Sequence, residues 1–124
     1  MTKANYDEEL QKIENRIAEL KKDVELGEAL NALHVDNDNF KKVILEGYFE
    51  KEEERLTGLL FNPTKLKRDQ MENVMDKATG IRSFKLYFQT LLINASMAPE
   101  QIEEEENYRT QLIDKGFEVE AIDG

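Results

Sequence analysis

Cysteine is absent from these 124 residues, which excludes disulfides and thiolate metal sites. Histidine occurs once, at His34, and serine only at Ser83 and Ser96. A catalytic His34 would need an orienting partner and a nucleophile within reach, and no serine lies near it in sequence. No apolar run approaches the length of a membrane span. The stretch Met1-Thr2-Lys3-Ala4-Asn5-Tyr6-Asp7 is polar and lacks the apolar core of a secretory signal. Proline-rich linkers and internal repeats are missing too. These absences lead to four expectations: no enzymatic activity, no cofactor, no bound metal, and a soluble chain in the cytoplasm.

What the chain does have is charge. Charged residues make up 35% of it, against about 25% in ordinary domains, and the net charge is −10. The charge is uneven. Residues 1 to 63 carry 9 basic and 15 acidic side chains, residues 64 to 98 carry 6 and 3, and residues 99 to 124 carry 2 and 9. So acidic a chain is not expected to bind nucleic-acid phosphates. Its length fits one domain, residues 1–124, and the modest apolar content of 40% suits an elongated shape with narrow buried seams.

The apolar residues repeat with helical spacing. Leu10, Ile13, Ile17, Leu20 and Val24 are spaced 3, 4, 3 and 4, a coiled-coil-like seam within an N-terminal helix over 1–35. In a parallel homodimer Glu9 would face Glu14 and Arg16 would face Lys21, which disfavours simple self-coiling. The seam is expected to pack on a later helix of this chain or on another protein. Asp36-Asn37-Asp38-Asn39 is a break with capping residues. A second helix over 39–61 presents Phe40, Val43, Ile44, Tyr48, Leu56, Leu59 and Leu60, with Gly47 and Gly58 as candidate points of close helix approach. Asn62-Pro63 ends it. Residues 64–98 form a central helix or a pair divided at Gly80, opening on a Thr64 cap. Pro99 suits a fresh start or a kink, followed by an acidic helix over 100–115 with Gly116 as its C-terminal cap. Residues 116–124, with Phe117 to Ile122 alternating, read as an extended tail. The fold class is therefore all-α, an elongated bundle of helical hairpins.

Several constellations resemble sites and fail on inspection. Asp36-Asn37-Asp38-Asn39 opens like a calcium loop, but Lys41 stands where glycine is needed and Gly47 where glutamate is needed. Glu52-Glu53-Glu54 and Glu103-Glu104-Glu105-Glu106 point in different directions on a helix, so neither run alone cages a metal. The runs are solvated faces, phosphate mimics, or docking charges for a basic partner. Lys65, Lys67, Arg68, Lys77, Arg82 and Lys85 form one basic region, diluted by Asp69, Glu72 and Asp76. Asn94-Ala95-Ser96 matches a glycosylation triplet within an apolar helix and is discounted.

Leu26-Gly27-Glu28-Ala29-Leu30, then Phe40-Lys41-Lys42-Val43-Ile44-Leu45-Glu46-Gly47-Tyr48, then Glu54-Arg55-Leu56 with Leu59-Leu60, form a pattern over much of the chain. Ile81 to Met97 adds a second aromatic helix, followed by the acidic residues. This pattern resembles small acidic helical proteins encoded among the head and portal genes of tailed bacteriophages. The resemblance implies a virion-related protein without assigned catalysis, in the host cytoplasm or the particle, and carries over no functional residue. The expected function is protein binding to head, portal or neck components, with a homo-oligomer left open. The alternative is an acidic nucleic-acid mimic that inhibits a host defence or DNA-processing enzyme. The expected contact face is Phe40, Ile44, Tyr48 and Phe49, taken as exposed aromatic and aliphatic anchors. The competing reading of these four residues is intramolecular core.

Overall fold

The computed structural model describes residues 2–62 and 66–123, with side chains described up to residue 115. The fold is all-α, and no strand occurs among the described residues. The first helix spans Lys3–Asp36. Thr2 caps it, its Oγ1 accepting from the Asn5 N–H at 3.2 Å. Gly27 is buried inside this helix. The helix stops where the sequence loads residues that compete for backbone hydrogen bonds. Asn37 leaves helical geometry (φ −108°, ψ 99°), and its Oδ1 accepts from the Phe40 N–H at 2.9 Å.

The second helix runs over 38–60 and changes register along its length. A short α-helical piece, Asp38–Phe40, leads into a π-helical segment, Lys41–Glu52, and α-helix resumes over Glu53–Leu60. The third helix is Arg68–Asp123. At its start the Gln70 side chain reaches back and accepts from the Lys67 N–H at 3.0 Å, satisfying one of the free backbone donors there. The expected Thr64 cap lies outside the described residues.

The third helix decides one open alternative and corrects two expectations. Gly80 sits inside a single helix, as one of the two expected arrangements has it, whereas Pro99 lies inside that helix without starting a new one, and the backbone stays helical past Gly116 to Asp123. The expected boundary between 98 and 100 and the extended tail over 116–124 are therefore replaced by one helix. At Pro99 local preference lost to burial: Ala98 is fully buried, and Ile102 and Leu112 beyond it pack in a core. At the C-terminal end, glutamate and alanine propagate a helix well, and extending a formed helix needs no new nucleus.

The chain, expected to be one domain, divides into two compact units. Unit 1 comprises Met1–Glu28 and Ile93–Gly124. Its core is Ile13, Ile17 and Leu112, edged by Tyr6, Leu10 and Ile102. The seam of the first helix thus packs on this chain's own third helix. Arg16 donates to Glu105 across it at 3.2 Å. Unit 2 comprises Ala29–Leu92. Its core is Phe49, Leu56, Val74, Ala78 and Ile81, with Ile44, Leu45, Leu59, Leu60, Leu66 and Phe88 packed around it.

A candidate partner-binding groove on unit 2

The register of Lys41–Glu52 decides which side chains meet the third helix. Hydrogen bonds in this segment reach five residues back, so side chains four and five apart share a face. Ile44, Leu45 and Phe49 consequently face Val74, Ala78 and Ile81. Gly47 makes this register possible: a Cβ built there would sit 2.9 Å from the Lys42 carbonyl oxygen, five residues back. The expected close helix-to-helix approach is therefore corrected. Gly47 crowds its own helix, and a Cβ at Gly58 would meet open space.

The four expected anchors fall in different places. Phe49 is buried, 8% exposed, with its ring 5.4 Å from Phe88 and 5.6 Å from Phe84. It is a core residue, so its expected exposure is overturned. Phe40 is half-buried, with His34 at 5.5 Å and Phe88 at 6.0 Å between ring centroids. Ile44 is half-buried at the core edge, and Tyr48 is 36% exposed. Intramolecular packing accounts for Phe49 and much of Phe40.

Ile44 and Tyr48 are brought together with residues that were not singled out as anchors. Val43, Ile44, Gly47, Tyr48, Glu52 and Phe84 line an open groove of about 490 Å³. Val43 is 64% exposed and Phe84 is 39% exposed, which is unusual for apolar side chains meeting in one depression. Tyr48 and Phe84 stand edge to face, 6.1 Å apart. At one side Glu52 accepts two hydrogen bonds from Arg55, at 3.0 Å from Nε and 2.5 Å from Nη2. Those hydrogen bonds hold the Glu52 carboxyl below the usual carboxylate range and raise Arg55 above its ordinary value.

The remaining chemistry is used structurally. His34 Nδ1 donates to the Leu30 carbonyl at 2.8 Å in the last turns of the first helix, and its ring meets Phe40 and Phe88. Lys85 bridges to Glu53 at 2.5 Å and lies over the Phe49 ring at 5.7 Å. Among the described residues no group of three or more His, Asp or Glu side chains is arranged to hold a metal, and no helix is long and apolar enough to cross a membrane. No protein-family model, curated protein or solved structure matches the chain.

Proposed function

We propose that this chain is a non-enzymatic protein-binding element of a bacteriophage particle. It docks an amphipathic helix of a head, portal or neck protein in the groove of Val43, Ile44, Tyr48 and Phe84. The observation that carries this reading is the groove itself, an apolar depression floored by a glycine and rimmed by exposed Val43 and Tyr48. A helix presenting two aliphatic side chains at i and i+4 suits such a depression. Its flanking residues are basic, because Glu46 and Glu50 stand exposed on the same segment and the chain carries a net −10. The phage assignment rests on the resemblance of the Phe40 to Leu56 block.

The mimic alternative needs free carboxylates spaced like phosphates. Glu52, Glu53 and Glu105 hold Arg55, Lys85 and Arg16, so three of the seven carboxylates in the two acidic runs are engaged within the chain. The test is a photo-crosslinking side chain at position 43, with particles purified from an infected host. The docking reading expects a crosslink to one structural protein, the chain present at fixed stoichiometry, and loss of the complex in Val43→Glu. A crosslink only to a second copy would make the groove a self-association surface. Absence from particles, with a host DNA-processing enzyme captured instead, would replace this reading by the inhibitor one.

A further inference from the structure

Residues 86 to 98 of the third helix carry no charged side chain, the longest such run in a chain that is 35% charged. Much of this run lies outside the cores. Leu86 is 60% exposed, Ile93 56% and Met97 50%, and Thr90 between them is exposed too. These four residues are spaced 4, 3 and 4, so they share one face of the helix. Ile81 and Phe88, which this helix gives to the unit 2 core, fall on its opposite side. Single exposed apolar residues are ordinary, but an aligned row with no charge among them marks a contact surface. Charge returns at the two ends of the row with opposite sign. Arg82 precedes it, and Glu100, Glu103 and Glu104 follow it, all exposed. None of these four forms an ion pair among the described residues.

We propose that this row pairs two copies of the chain, antiparallel. The spacing 4, 3, 4 reads the same in both directions, as a two-fold axis requires. Leu86 then sits opposite the partner's Met97, and Thr90 opposite the partner's Ile93, the layers of a short antiparallel coiled coil. Arg82 lies beside the partner's Glu100 and Glu103, and the symmetry makes this contact twice. A parallel pair would instead set Glu100 against Glu100 and Glu104 against Glu104 in line with the row, a like-charge clash that the antiparallel pair avoids. The missing charge also explains how two chains of net −10 can meet at this place. So short a seam buries little area, so the pair forms in concentrated solution and separates on dilution. This inference is independent of the docking reading above, which uses a different surface.

The absence of native cysteine lets disulfide trapping read the arrangement. Leu86→Cys and Met97→Cys chains, mixed under mild oxidation, should give roughly tenfold more of the mixed dimer than of either single-variant dimer. A Leu86→Cys chain that links to itself more readily than to Met97→Cys would mean parallel pairing and overturn the proposal. Sedimentation of the unsubstituted chain should show a dimer that grows with concentration and that Ile93→Glu abolishes at unchanged helical content. A chain that stays monomeric as its concentration rises would overturn the pairing. Arg82→Glu should weaken the dimer, and adding Glu103→Arg to the same chain should restore it. If the thiol of Ile93→Cys is shielded only when a different protein is added, the row belongs to that protein and the proposal falls.

Discussion

The two units solve the same packing problem with different materials. Unit 1 joins Ile13 and Ile17 to Leu112 through regular α-helical turns, with one aromatic ring, Tyr6, at its edge. Unit 2 surrounds Phe49 with Phe84 and Phe88 and bends helical regularity to do so. Aliphatic side chains at 3,4 spacing fit a facing helix without adjustment. A phenylalanine ring is larger and prefers edge-to-face neighbours, so the backbone register moved to seat it. Regular helix in unit 1 goes with a depression lined mostly by charged and polar side chains, among them Arg16, Glu19, Asp23 and Glu104. Altered register goes with an open groove in unit 2.

The sharpest way to break this contrast is Ile17→Asp. An unpaired carboxylate in the unit 1 core should destabilise it by at least about 4 kcal/mol. Hydrogen exchange should quicken first in residues 3–28 and 93–115, ahead of 29–92. Equal quickening across the chain would mean that the two cores are one cooperative entity. Phe49→Ala comes next, at about 3 kcal/mol in a denaturant titration, because it empties the centre of an aromatic cluster. It should also flatten the near-ultraviolet circular dichroism of unit 2. Lys85→Met should cost no more than about 1 kcal/mol, since the methionine stem keeps its packing near the Phe49 ring while a half-exposed ion pair with Glu53 is lost.

The smallest effect concerns Glu52 and Arg55. Arg55 depresses the Glu52 carboxyl in the folded chain, so the pair's contribution is complete above the unfolded value, roughly pH 4.3. It fades as pH falls through the lower folded value. Arg55→Gln should remove that slice of acid sensitivity, read as a smaller drop in melting temperature between pH 5 and pH 3 (about two units below neutrality and beyond). Salt should mute the difference, because the pair is exposed.

Unit 1 was the readable half. The spacing of Leu10, Ile13, Ile17, Leu20 and Val24 has one helical interpretation, and the structure buries Ile13 and Ile17 as that spacing requires. The break at Asn37 was equally plain, because a side chain that caps a helix start announces it. Unit 2 hid its register. Phe40, Val43, Ile44, Leu45, Tyr48 and Phe49 offer an apolar face to either turn length, and only the crowding at Gly47 separates them. Hence the sequence pattern offers Phe49 as an exposed anchor and does not mark Val43 and Phe84 as lining a groove. The alternation from Phe117 to Ile122 misled for another reason: two-residue periodicity over six residues is too weak to end a helix already growing.

The third helix supplies Val74, Ala78 and Ile81 to one core and Ile102 and Leu112 to the other. The consequence is an order of assembly. Unit 2 is a single contiguous stretch, so its contacts close short loops. Ile13 must instead find Leu112 across about 100 residues of chain, a closure with a larger entropic penalty unless the intervening stretch is already compact. On loop-closure entropy alone, unit 2 is expected to fold first and to shorten the search for unit 1, an order that pulse-labelled hydrogen exchange would read. On the ribosome, Leu10, Ile13 and Ile17 emerge early and wait for residue 112 before they are covered. In that interval the newborn chain shows a bare apolar stripe, and there a chaperone or a protease has its opportunity.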